Sequence, residues 1–141
     1  DLVRSRGLGD VYKRQILWTG ISTFFVYVFG GVDVVFKCLI VIMIIDYVTG
    51  VTANILNLDS KLGFKGIAKK VMILALVAVG AQVDKITGTD GYMCRTIVTM
   101  FYIANESLSI VENSAKMGLP VPKKLIECLE QLKGNDESEE K

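Results

Sequence analysis

Apolar stretches at residues 16–32, 38–56, 71–83 and 96–104 alternate with lysine-rich connectors along the chain. A membrane-spanning helix needs roughly 20 predominantly apolar residues. Segments 16–32 and 34–56 approach that length, and Gly30 and Gly31 punctuate the sequence between them. Segment 71–83 is shorter, so we expect Lys69, Lys70 and Lys85 to reach outward from its ends. With 95–113 as a fourth candidate, the pattern predicts an all-α, small multi-span membrane protein with three to four transmembrane helices.

Acidic and amide residues interrupt these apolar stretches. Asp46 follows directly on the apolar run 39–45, and Asn105 and Glu106 follow on the run 97–104. A charged group at bilayer depth costs several kcal/mol, so such groups turn toward other helices or toward water. The sequence therefore predicts helices that pack around polar surface.

The fourth segment carries a polar stripe. At helical spacing, one face collects the residues Tyr102, Asn105, Glu106, Ser109, Glu112 and Asn113. Asp46, Thr49 and Asn54 form a sparser polar edge on the second segment. One interpretation is a helix that lies on the membrane surface with its stripe in water. The other is an embedded helix whose stripe lines an oligomer seam or a water-filled lesion. Glu106, buried alone, would protonate, so insertion requires partners or water beside it.

Composition argues against most catalytic and binding chemistry. The mean hydropathy of +0.44 favours several membrane segments over a soluble core. The formal net charge of +1 does not indicate a nucleic-acid binder. The chain has no histidine, and its three cysteines are scattered, which argues against a zinc site and a Ser-His-Asp triad. We therefore expect no catalytic residues, no bound metal and no cofactor.

Residues 1–15 look like a foreign leader. The stretch 10–15 would be encoded by GAT GTG TAT AAG AGA CAG, which resembles a transposon-based sequencing adapter, and such leaders are set aside before fold reasoning. The alternative is the basic n-region of a signal peptide. We expect residues 16–115 to form the transmembrane domain.

The C-terminal region has a different pattern. Leu125, Cys128, Leu129 and Leu132 recur at helical spacing, which predicts a short cytoplasmic amphipathic helix within 116–133. Residues 134–141 are expected to form a disordered acidic tail. Lysines concentrate in 57–70 and after 114, so the positive-inside rule places both chain ends in the cytoplasm.

Four ordered motifs resemble a known family. They are Asp-Tyr-Val-Thr-Gly at 46–50, Gly-Phe-Lys-Gly-Ile-Ala-Lys-Lys at 63–70, the stretch around Asn-Glu-Ser at 101–113, and Gly-Leu-Pro-Val-Pro at 118–122. From about residue 16 to residue 133 the chain resembles the phage lysis and toxin-secretion holins of Gram-positive bacteria and their phages.

The resemblance implies a multi-pass protein of the bacterial cytoplasmic membrane that is not an enzyme. Such a protein would form homo-oligomers in the lipid bilayer and open non-specific lesions that release an endolysin or a large toxin. Two alternatives stay open. One is a small ion or solute transporter that uses Asp46 and Glu106 as coupling sites, and the other is an antiholin regulator.

Overall fold

The computed structural model describes residues 2–54, 60–88 and 91–133, and all regular secondary structure in this part of the chain is helical, without strands. The predicted all-α fold is confirmed. The predicted acidic tail at 134–141 and the side chain of Leu132 lie outside the described residues. The five helices are α1 (Leu2–Phe29), α2 (Val34–Ala53), α3 (Ser60–Thr87), α4 (Met93–Lys116) and α5 (Lys123–Lys133).

The first helix break lies where the paired glycines predict it. Helix α1 ends at Phe29, and Gly30 and Gly31 take φ values of +74° and +135°, which strain any residue with a Cβ. Asp33 then caps α2, because its side chain accepts a hydrogen bond of 2.9 Å from the backbone N–H of Phe36. Residues 2–15 continue α1 as helix, and their interpretation as a foreign leader stays a prediction.

The lysine-rich connector before the third apolar segment is itself helical, which corrects the sequence-based expectation. Helix α3 begins at Ser60 and runs without interruption through Lys65, Lys69 and Lys70. Lysine is a good helix former, so charge alone does not end a helix. The third apolar segment therefore belongs to a helix of 28 residues.

Helices α2, α3 and α4 form the centre of the bundle. Helix α4 packs against both α2 and α3, while α1 packs against α3 and α5 against α4. The buried core consists of Phe36, Leu39, Met43, Ile73 and Val77. Much of the outer surface is apolar, as a lipid environment requires.

Two helices of the described chain are long and apolar enough to cross a membrane. They are α2, over Val34–Ala53, and the part of α3 over Gly63–Thr87, with mean hydropathy values of 2.2 and 1.7. Together with the apolar surface, they support a membrane protein.

A buried carboxylate from α3 satisfies the first turn of α4. Tyr92 precedes α4 in a left-handed conformation and supplies no side-chain cap. Asp84 takes that role, because its two oxygens accept hydrogen bonds from the backbone N–H groups of Cys94 and Arg95, each 2.8 Å long. A negative charge at a helix N-terminus is also favoured by the helix dipole. Asp84 therefore fixes the position of α4 along α3.

Helices α3 and α4 are in close backbone contact at Gly80. A Cβ atom placed on Gly80 would lie 3.0 Å from the Cα of Arg95 and 3.2 Å from its backbone nitrogen. Because Asp84 holds that same nitrogen, the backbone of α4 has little freedom to move away. The close crossing requires glycine at this position.

We expect Gly80→Ala to lower the stability of the bundle by about 1–3 kcal/mol, the usual cost of overpacking. Gly20→Ala is the matched control, since Gly20 is also helical and has nothing within 4 Å of its ideal Cβ position. Alanine there should be neutral or slightly stabilising. Thermal unfolding in mild detergent compares the two variants, and equal behaviour would contradict the assigned packing role of Gly80.

Candidate functional site

One lysine joins the three central helices. The Nζ atom of Lys70 on α3 donates a hydrogen bond of 2.7 Å to Oδ2 of Asp46 on α2. The same atom donates a short hydrogen bond to Oε2 of Glu106 on α4. Lys69 adds an ion pair, with its Nζ 3.0 Å from Oε1 of Glu106 but without hydrogen-bond geometry. We call Asp46, Lys69, Lys70 and Glu106 the ion cluster.

Three of the four side chains of the ion cluster are largely buried, Lys69 is half-exposed, and the cluster is electrically balanced. The side chain of Glu106 has no exposed surface, and the side chains of Lys70 and Asp46 are 14% and 12% exposed. Two ammonium groups face two carboxylates, so the formal charges cancel. Because an isolated ion in an apolar medium costs far more than a paired one, this balance allows the charges to stay buried.

A polar crevice adjoins the ion cluster at the lysine-rich end of the bundle. Its volume is about 280 Å³. Asn113, in its wall, donates a hydrogen bond of 3.3 Å to the hydroxyl of Thr49. Besides ion-cluster residues, its walls include Tyr47, Gly50, Asn54, Gly66, Ser109 and Asn113. The hydroxyl and amide groups make this a place where water can enter the bundle.

A second ion pair, between a buried arginine and a half-exposed carboxylate, closes the opposite end of the bundle. Arg95 on α4 donates hydrogen bonds of 2.7 Å and 3.0 Å to the two carboxylate oxygens of Asp33 and a third, of 3.1 Å, to the carbonyl oxygen of Gly31. The side chain of Arg95 is 3% exposed. Its hydrogen bonds lower the pKa of Asp33, which therefore stays ionised. This pair ties the break between α1 and α2 to α4.

The structure brings most of the predicted polar residues together inside one protomer. Asp46, Ser109 and Asn113 line the crevice, and Thr49 accepts the hydrogen bond from Asn113. The polar stripe thus faces α2 and α3, and the alternative with the whole stripe in water does not match the burial of Glu106 and Asn113.

Four predicted residues, all within the described chain, form no hydrogen bond or ion pair with the ion cluster, although one of them, Asn54, lines the crevice. Tyr102 packs against the apolar core, and Asn105 is half-buried. Asn54 caps the end of α2 and donates a hydrogen bond of 2.8 Å to the carbonyl oxygen of Gly50, while Glu112 is exposed. The role of the predicted set in an oligomer seam or a lesion stays a prediction.

The sequence analysis did not predict that Lys70 and Arg95 act as buried ion-pair partners. It placed Lys70 at the end of the third segment and pointing outward, whereas Lys70 points into the bundle. The available signal was spacing, because Lys70, Ile73 and Val77 follow one another at intervals of three and four residues and share a helix face. Arg95 continues the polar stripe of α4 in the same way, at eleven residues before Glu106.

Comparison of the sequence with known proteins identifies relatives of the chain. The profile of the bacteriophage holin family matches residues 23–134. The chain is 45% identical to the uncharacterized protein Lmo0128 of Listeria monocytogenes, over 84% of this chain and 87% of the relative. It is 39% identical to an uncharacterized 14.9 kDa protein of Clostridium perfringens, over 84% and 93%, and 36% identical to the uncharacterized protein YtkC of Bacillus subtilis, over 76% and 81%. No solved structure matches the chain.

We expect Lys70→Met to destabilise the bundle by about 3–5 kcal/mol, because it leaves two buried carboxylates without their shared partner. Lys69→Met is the matched control at the neighbouring position. Since the Lys69 side chain is 50% exposed, its loss should cost at most about 1 kcal/mol. Accumulation in membranes and thermal unfolding in mild detergent measure the difference.

A triple variant separates charge balance from packing. Combining Lys70→Met with Asp46→Asn and Glu106→Gln removes the charges that depend on Lys70. We expect this variant to regain most of the lost stability, because neutral groups of similar size replace a buried ion network at little net cost. Equal stability of Lys70→Met and Lys69→Met would contradict the central role of Lys70.

Proposed function

Because the chain belongs to the bacteriophage holin family, we propose that it oligomerises in the bacterial cytoplasmic membrane and opens non-specific lesions there. The lesions would release an endolysin, and so lyse the host, or a large toxin. The structural observation that supports this proposal is that the polar stripe of α4 packs inside a bundle whose outer surface is apolar. An apolar outside suits insertion into lipid, and the stored stripe supplies the hydrophilic surface that a water-filled lesion needs.

The proposed topology has three to four spans. Helices α2 and α3 cross the membrane, and α4 and the apolar part of α1 accompany them, so that residues 16–115 act as the transmembrane domain. The antiparallel course of α3 and α4 is favourable for this topology, because it brings Lys65 and Lys116 to the same end of the bundle. By the positive-inside rule that end, with the segment 116–133, is cytoplasmic.

The proposed lesion lining is the polar set predicted from the sequence. In the closed protomer, Thr99 and Glu106 on the stripe side of α4 are 1% and 0% exposed. Opening would separate α4 from α2 and α3, so that the stripe and Asp46 face a water-filled space shared by several protomers. Hydration would then replace the ion pairs that hold the closed form.

Release of a cytoplasmic enzyme tests the proposed function. The chain is induced in bacteria, with an initiating Met, together with an endolysin that lacks a secretion signal. We expect an abrupt fall in culture density after a delay, because a lesion large enough for a folded enzyme opens only after assembly. Induction of the endolysin alone should leave the culture intact.

The transporter and antiholin alternatives give different outcomes. A membrane-inserted chain that leaves membrane potential and growth unchanged would favour an antiholin. Saturable flux of one ion or solute without enzyme release would favour a transporter. Either result would overturn the proposed lesion.

Cysteine labelling tests the proposed lining. In a background with Cys38, Cys94 and Cys128 replaced by Ala, Thr99→Cys is compared with Ala104→Cys. Both positions are buried, at 1% and 0% exposure, and the step of five residues between them places Ala104 about 140° around α4 from Thr99, off the polar stripe. We expect reaction of the Thr99→Cys thiol with a charged maleimide to rise about tenfold or more at lysis onset, because thiolates form in water and not in apolar surroundings.

The Ala104→Cys thiol should stay unreactive throughout. If both thiols stay unreactive in cells that have lysed, the stripe remains an internal contact and other residues line the lesion. A rise at both positions would indicate unfolding of the bundle rather than opening along the stripe.

A further inference from the structure

A surface of lysines and apolar side chains lies where α4 ends and α5 begins. Lys116, Lys123 and Lys124 are exposed. Beside them in the sequence, the exposed fractions of Met117, Leu119 and Leu125 are 41%, 57% and 46%. We call these six residues the basic–apolar surface. The ion cluster and the crevice use none of them.

Backbone hydrogen bonds hold this segment in a defined turn. Gly118 takes a φ of +81°, and its N–H donates to the carbonyl oxygen of Ala115 at 2.9 Å. The N–H of Leu119 donates to the carbonyl oxygen of Ser114 at 3.1 Å. These bonds satisfy the last turn of α4, in the manner of a glycine C-cap. Leu119 therefore lies beyond the end of α4, in a turn held by backbone hydrogen bonds.

The position of Asn113 gives the depth of the basic–apolar surface. Helices α2 and α4 run parallel, since Asp33 pairs with Arg95 at one end and Thr49 with Asn113 at the other. Asn113 is level with Gly50, and three further residues, about 4.5 Å of helix, lead to the end of each helix. Lys116 is therefore level with Ala53, where the apolar α2 ends.

We propose that the basic–apolar surface docks on anionic lipid headgroups. Lys116 lies at the level where the apolar span ends, which is where headgroup phosphates lie, and Lys123 and Lys124 follow it at the start of α5. The neighbouring apolar side chains can enter the boundary of the acyl region. Each basic residue at an anionic surface strengthens binding, and the attraction falls off within a Debye length. The inference rests on the proposed membrane location but not on lesion opening.

The test uses the full chain in vesicles, with a fluorescent reporter at Leu119. Trp18→Phe removes the single native tryptophan, and Leu119→Trp introduces the reporter. The protein is reconstituted into phosphatidylcholine alone and into equal parts phosphatidylcholine and phosphatidylglycerol. We expect acrylamide quenching to be about twofold weaker in the anionic vesicles at low salt, with the difference lost at high salt.

Charge variants in the same background identify the groups responsible. Replacing Lys116, Lys123 and Lys124 by Gln should raise quenching in anionic vesicles to the level seen in phosphatidylcholine. Replacing the same three by Arg keeps the charge and should preserve the shielding. All three positions are exposed, so circular dichroism should show unchanged helix content.

Other occupants of the surface give separate results. Shielding that is equal in both lipids, or that grows with the protein-to-lipid ratio, would assign the surface to a second copy of the chain and overturn the proposal. Full exposure of the reporter in both lipids would also overturn it. Failure of lesion formation in cells would leave these vesicle measurements unaffected, so the two proposals fail independently.

Discussion

The bundle depends on one buried cation that three helices share. Lys70 joins α3 to both α2 and α4, because Asp46 on α2 and Glu106 on α4 each form an ion pair with its Nζ atom. In an apolar medium a buried carboxylate without a partner costs several kcal/mol. Removing any one of the three groups therefore changes the state of the other two. This coupling makes the three helices one unit, although each presents an apolar outside.

Polar contacts at both ends of an apolar layer set the register of these helices. On α4, Arg95 and Glu106 are eleven residues apart, which is about 16 Å of helix. Between them the core is formed by apolar side chains such as Leu39, Ile73 and Val77. Apolar packing alone tolerates sliding by a turn, since one aliphatic side chain resembles the next. The ion cluster and the pair of Arg95 with Asp33 do not tolerate such sliding, because a slip of one turn would leave charges unpaired at both ends.

The sequence predicted which segments form helices better than it predicted which side chains pair between them. Hydrophobic runs and the pair Gly30–Gly31 indicated the helices and their first break, and the motif order indicated the family. The lysine-rich connector was assigned wrongly because hydropathy treats a charged residue as the end of a span. Lys70 continues the helix on the same face as Ile73 and Val77, and its partners there are Asp46 and Glu106. Such long-range pairing joins residues 24 and 36 positions apart in the chain, so no local pattern contains it.

The ion pairs that hold the polar stripe inside the closed protomer also affect how the proposed lesion would open. A single protomer that opened in lipid would expose ionised Asp46, Lys70 and Glu106 to an apolar medium, at a cost of several kcal/mol for each charge. The same groups lose little when they pass from an ion pair into water. Opening is thus favourable only where several protomers together enclose water. The ion cluster would therefore keep isolated protomers closed and make opening depend on assembly, so that accumulation of the protein, rather than its insertion, would set the time of release.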